Sequence, residues 1–110
     1  MSERLKGKIG IVTGAGTGIG RACAIALARE GAQVALVGRR RDRVEEVARE
    51  IGDSAFAIPA DVSRTNEIER LLDRTVRRFG GLNFLLNNAG VLHIGNAEQI
   101  TKNSGTRLSM

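Results

Sequence analysis

Residues Thr13-Gly14-Ala15-Gly16-Thr17-Gly18-Ile19-Gly20 form the stretch of this chain best suited to chemistry. Alternate glycines let a backbone turn tightly and approach a ligand that side chains would hold away. A glycine-rich turn that opens a helix also presents unpaired N–H groups and the positive end of the helix dipole, which together suit a phosphate or pyrophosphate. The pattern means a nucleotide site only where a strand precedes it and a helix follows, since glycines punctuate many turns. Three further segments could contribute: the basic run Arg39-Arg40-Arg41-Asp42-Arg43, the pair Asp61-Val62, and Asn87-Asn88-Ala89-Gly90. No residue is assigned a catalytic role. The chain has no Tyr and no Trp, so it cannot itself supply a phenol as proton donor, and no metal site is read from its single His and single Cys.

The elements that must position these segments follow from two alternating periods. Lys8 to Thr13 is a β-branched run bounded by glycines and reads as a buried strand. From Gly18 to Glu30 the apolar residues Ile19, Ala22, Cys23, Ala26 and Leu27 recur at helical spacing, and Gly31 stops that helix. Gln33 to Val37 is a second strand. A helix follows with Val44, Val47, Ala48 and Ile51 on one face and Gly52 at its end. Ser54 to Ile58 reads as a weaker third strand. Ile68, Leu71, Leu72, Val76 and Phe79 then mark a third helix, with Ser63 as N-cap and Gly80-Gly81 as its stop. Asn83 to Leu86 is a fourth strand. The order βαβαβαβ with short connections predicts an α/β fold, a Rossmann-type doubly wound parallel sheet in the strand order 3-2-1-4.

Composition narrows the function classes. With 110 residues, 42% hydrophobic and 26% charged, the chain makes one globular domain at most. It shows no run long enough for a membrane span and no signal-peptide pattern, and the lone Cys23 fits a reducing compartment, so the reading is cytoplasmic. Cys23 is read as a packing residue and His93 as a surface-loop residue. The net charge of +5 invites an anionic partner. Nucleic acid is disfavoured, because three Phe are the only aromatic residues and leave little for base stacking.

The spacing TGxxxGxG from Thr13 to Gly20 resembles the short-chain dehydrogenase/reductase family, and so do Asp61-Val62 and the NNAG segment at Asn87 to Gly90. Each of the three lies at the end of its own predicted strand, and the resemblance covers about residues 5–95. It implies an NAD(P)-binding site built from Gly14, Gly16, Thr17, Gly18, Ile19 and Gly20 in the loop, Arg39 after the second strand, Asp61 and Val62 at the adenine, and Asn88, Ala89 and Gly90 lining the site. The end of the second strand selects NADP over NAD. An acidic residue there would bind a free ribose 2′-OH, whereas Gly38-Arg39 brings a cation that suits a 2′-phosphate. Arg40 is the lesser candidate, and a solvated helix start remains the alternative for the whole run. Thr17 departs from the pattern, since NADP-preferring relatives often carry a basic residue there.

The resemblance further implies hydride transfer between nicotinamide and a small carbonyl or alcohol substrate, by homo-oligomeric relatives that use Ser, Tyr and Lys. Those residues belong downstream of the matching segments, and after Ile100 the family pattern gives way to TKNSGTRLSM. Residues 1–95 are therefore read as the NAD(P)-binding Rossmann portion and 96–110 as an aberrant, disordered tail. The expectation is a truncated or frame-shifted cofactor-binding fragment, inactive alone, whose fourth strand would be a bare edge. The alternative is a non-catalytic nucleotide-binding or regulatory half-fold that works with a partner chain.

Overall fold

Seven elements alternate along the chain in the computed structural model, which describes residues 4–88. They are β1 (Ile9–Thr13), α1 (Gly18–Arg29), β2 (Gln33–Gly38), α2 (Arg41–Ile51), β3 (Ala55–Pro59), α3 (Thr65–Phe79) and β4 (Phe84–Asn87). The strands form one sheet in the order β3-β2-β1-β4, and every neighbouring pair is parallel. This is the Rossmann-type arrangement predicted from the sequence. Residues 89–110, with His93 and the predicted tail, lie outside the described residues. Among the described residues no helix is long and apolar enough to cross a membrane.

Each face of the sheet has its own core, because alternate residues of a strand point to opposite sides. Val12, Val34, Leu36 and Ala55 pack with Ala24 of α1 and with Val44 and Val47 of α2. Ile11, Ala35, Val37 and Ile58 pack with Ile68, Leu71 and Leu72 of α3. The first two helices thus cover one face and the third covers the other. On that second face the ring of Phe79 meets Phe56 of β3 edge-on at 5.2 Å.

Several local expectations need correction. The buried side of α1 is Gly20 and Ala24, with Leu27 and Ala28 partly packed against the same core. Ile19 is 72% exposed, Ala22 and Ala26 are exposed, and Cys23 is half-buried. Only Arg21 and Arg29 interrupt the apolar residues of this helix, so spacing alone selects no face. Ser63 is not the N-cap of α3. That position belongs to Arg64, which makes no side-chain cap bond, while the Ser63 hydroxyl turns back to the Asp61 carboxylate. The β3–α3 loop is tied to the helix by Glu67, whose carboxylate accepts the Asp61 N–H at 3.1 Å.

The last strand begins one residue later than predicted for a visible reason. Asn83 accepts the Ile9 N–H on its side-chain oxygen at 2.9 Å, and its own N–H donates to the Ile9 carbonyl at 2.7 Å. It therefore starts the β1–β4 register without being part of the strand. Next to it, the Phe84 ring lies directly over Gly10 of β1, filling the space a side chain there would need.

That contact is testable. A methyl group at position 10 collides with the ring, so Gly10→Ala is expected to cost about 1–3 kcal/mol, the usual penalty for overpacking. Phe84→Leu in the same background should restore part of the loss. Urea unfolding followed by far-ultraviolet circular dichroism measures both, and equal stability of Gly10→Ala and wild type would refute the contact.

Candidate functional site

The carboxyl ends of β1, β2 and β3 converge on a cleft of about 670 Å³, within the range of small-molecule sites. Its walls are Gly14, Gly16 and Thr17 from the β1–α1 loop, Gly38 to Arg40 with Arg43 and Val44 from the start of the second crossover, and Ala60 to Ser63 from the third. Backbone bonds hold the three loops together. Ala15 donates to the Val37 carbonyl at 3.1 Å and Ala60 to the Gly38 carbonyl at 2.9 Å. Position relative to the sheet matters here, since open α/β sheets bind ligands outside the carboxyl ends of their strands.

The glycines of the first loop do separate jobs. Gly14 and Gly18 have φ of 63° and 58°, the left-handed region that side chains resist. Gly16 is needed for space: a Cβ there would sit 3.0 Å from the Cβ of Arg43. Gly20 lets α1 lie against the loop, because a methyl group at that position would overlap the Gly14 carbonyl oxygen. Thr17 stands at the N-cap with an extended backbone and forms no side-chain cap bond, and the first turn of α1 contains no acidic residue. The N–H groups and positive dipole end of α1 thus stay uncompensated by its own side chains.

Thr13 joins this loop to β4. Its buried hydroxyl donates to the Asn87 side-chain oxygen at 2.8 Å and accepts the Asn88 N–H at 2.9 Å. Asn88 is exposed beside Gly20. On the opposite wall the Asp61 carboxylate accepts two bonds from Ser63, from the hydroxyl at 2.7 Å and from the N–H at 3.0 Å. These bonds hold its pKa below the ordinary carboxylate value, with smaller help from the positive charges of Arg39 and Arg64.

Of the site residues predicted from the sequence, the cleft brings together Gly14, Gly16, Thr17, Arg39, Asp61 and Val62. Gly18, Ile19, Gly20 and Asn88 lie outside its lining, in the first turn of α1 and just beyond β4. Ala89 and Gly90 fall outside the described residues. Sequence reasoning passed over Ser63 as a partner of Asp61 and Arg43 as a wall of the cleft. The Asp-x-Ser spacing of an Asx turn could have revealed the first. The second needed knowledge that Gly16 and Arg43 touch.

A family model described as short chain dehydrogenase matches residues 8–109. The chain is 43% identical over 93 residues to the 11-beta-hydroxysteroid dehydrogenase-like 2 of Arabidopsis thaliana, covering 81% of this chain and 30% of that protein. It is 44% identical over 108 residues to the 11-beta-hydroxysteroid dehydrogenase 1A of the same plant, covering 92% and 31%. Among solved structures it resembles a 3-ketoacyl-(acyl-carrier-protein) reductase from Brucella melitensis complexed with NADH. That match has a TM-score of 0.72 at 38% identity and covers 74% of this chain and 33% of the other. A hydroxysteroid dehydrogenase from Escherichia coli matches with a TM-score of 0.76 at 40% identity, covering 79% and 37%. The chain spans about a third of the length of the curated relatives it matches.

The Asp61 turn gives a pH prediction. Carboxyl titration by NMR should place Asp61 below the ordinary carboxylate value, and Ser63→Ala should move it back up. Because the folded value is the lower one, the stabilisation is complete above the unfolded value of about 3.9 and is lost as pH falls through the folded value. Wild type and Ser63→Ala should therefore converge in stability at the acid end, and an Asp61 titration indifferent to Ser63→Ala would contradict the turn.

Proposed function

The chain belongs to the short-chain dehydrogenase family, and from that premise we propose that it is the dinucleotide-binding part of an NAD(P)-dependent oxidoreductase, with NADP(H) preferred over NAD(H). The observation that carries the preference is Arg39. It follows Gly38 at the end of β2, lines the cleft, and forms no ion pair among the described residues. The sequence from Gln33 to Arg41 contains no Asp or Glu, so nothing acidic at the end of β2 stands ready for a free 2′-OH.

The remaining assignments follow the walls of the cleft. Asp61 and Val62 take the adenine end, and Gly14, Gly16 and Thr17 take the adenosine ribose. The open N–H groups at Gly18, Ile19 and Gly20 take the pyrophosphate. Asn88, Ala89 and Gly90 continue the site toward the nicotinamide. Glycine spacing supports this, since a side chain at Gly16 would press on Arg43 and one at Gly20 would overlap the Gly14 carbonyl oxygen, so that neither α2 nor α1 could approach the loop as it does. When bound, the dinucleotide supplies hydride exchange with a carbonyl or alcohol carbon of a small substrate. The similar Brucella reductase was solved with NADH, which supports the cofactor class rather than the preference.

A second reading, binding without turnover, is favoured by one fact: the sequence holds no Tyr. These residues bind and orient a cofactor, and no phenol among them exchanges a proton with a substrate oxygen. We place this binding in the cytoplasm, in keeping with the lone cysteine.

NADPH and NADH titrations followed by nicotinamide fluorescence test the proposal. Arg39→Ala should weaken NADPH by about tenfold to a hundredfold, the worth of a charge-assisted hydrogen bond, and leave NADH within about twofold. Equal losses for both cofactors would remove the preference, and no saturable binding of either would remove the cofactor reading.

A further inference from the structure

We propose that Glu67, held by Arg70, is a positioning residue for the adenine half of the cofactor: from outside the cleft it fixes the Asp61–Val62 wall. The inference rests on the dinucleotide reading above, in which Asp61 and Val62 take the adenine end. β3 is the last strand on its side of the described sheet, and the backbone groups of a strand alternate in direction. The Ser54 carbonyl and the Ala60 N–H bond to β2, so the Pro59 carbonyl and the Asp61 N–H point away from the sheet. A further parallel strand would take that carbonyl and that N–H together. Two side chains of α3 take them instead. The Arg70 guanidinium donates to the Pro59 carbonyl at 2.9 Å, and the Glu67 carboxylate accepts the Asp61 N–H at 3.1 Å. The two side chains approach each other at 3.6 Å, so an ion pair closes the end of the strand.

This arrangement departs from ordinary helix capping. Glu67 follows Thr65 and Asn66 in the first turn of α3, the place from which a carboxylate normally reaches back to the N–H of the N-cap residue. Here the N-cap is Arg64, and its N–H donates to the Asp61 carbonyl at 3.2 Å. The Glu67 carboxylate passes that group by and ends on the loop that walls the cleft. Residues 59–61 are thereby pinned one after another, Pro59 and Asp61 from α3 and Ala60 from the Gly38 carbonyl of β2. Asp61 is held at both its polar ends, the N–H by Glu67 and the carboxylate by Ser63. A wall fixed in advance spares a ligand the cost of ordering the loop. Neither Glu67 nor Arg70 lines the cleft, so their effect on a ligand passes through Asp61 and Val62, which do.

The test uses the 110-residue chain and its variants, with 5′-AMP, NADH and NADPH as ligands. Two variants separate the bond from the charge. Glu67→Asp keeps an anion in the first turn of α3, where the helix dipole favours it, but is one methylene too short to reach the Asp61 N–H. Glu67→Gln loses the charge and keeps an acceptor oxygen at the right reach. Glu67→Asp should weaken all three ligands by a common factor of about tenfold, while Glu67→Gln stays within about threefold of wild type. Without ligand, hydrogen exchange of the Asp61 amide should quicken by about tenfold in Glu67→Asp and by far less in Glu67→Gln. Asp73→Ala, which removes the Asp73–Arg77 pair from the same helix, should change neither measurement. The reverse order, with Glu67→Gln weak and Glu67→Asp intact, would assign Glu67 to the helix dipole and overturn the proposal. A loss confined to NADPH, an unchanged Asp61 amide, or equal losses in Asp73→Ala would overturn it as well. The two readings fail separately: wild type that binds none of the three ligands removes the dinucleotide reading, whereas saturable wild-type binding that Glu67→Asp leaves within about twofold sinks only this inference.

Discussion

A methyl group at position 20 would overlap the carbonyl oxygen of Gly14 and crowd the side-chain amide of Asn88. Its absence lets the first turn of α1 lie against the end of β1, and the site depends on that approach. With the helix seated there, Ala24 packs into the core it shares with Val12 and Val34. The N-terminal N–H groups of α1 then face the region beyond the carboxyl ends of the strands, where a phosphate can reach them. Close packing makes the arrangement stiff, because an interior without free volume cannot absorb an added methyl group without moving a neighbour.

Thr13 extends that constraint across the sheet. Its hydroxyl is buried and serves as both donor and acceptor, linking the end of β1 to Asn87 and Asn88. A buried hydroxyl with both roles filled fixes the relative position of two segments 74 residues apart. Asn83 does the same at the opposite end of the β1–β4 pair, through its side chain and its backbone. The short strand β4 is therefore pinned at both ends by polar groups, where a longer strand could rely on its ladder.

Much of this was legible in the sequence, for reasons that also explain what was not. The strands could be read because β1 and β2 are nearly continuous apolar runs, as parallel strands buried on both faces must be. The third helix could be read because its polar and apolar residues separate cleanly, and Ile68, Leu71 and Leu72 are indeed buried. In α1 the same method failed, since a helix apolar all round carries no facing signal and its seat was decided by a missing side chain at Gly20. The Ser63 error has a related origin. Ser and Asp both cap helices and both form local turns, and Asp61 claimed the hydroxyl first. Arg43 was hidden because its place in the cleft wall depends on the close approach of the first turn of α2 to the glycine loop, which no local pattern encodes.

The distribution of labour within the fold explains why a cofactor can be argued from a chain that spans about a third of its relatives' length. The cleft is made by the carboxyl ends of β1, β2 and β3 and by the loops that follow them. All of these lie within the described residues. The strand β4 contributes no lining residue and enters only through the Thr13 link, while Leu86 on that strand is 37% exposed. A cleft fit for a dinucleotide thus needs only backbone geometry and a few charges fixed by the first three strands. Proton transfer needs a titratable group positioned against the substrate, and the ionisable residues that line the cleft are Asp61, Arg39, Arg40 and Arg43. The cleft is accordingly built by the loops that follow the first three strands, with its charged groups at the end of β2, the start of α2 and the end of β3.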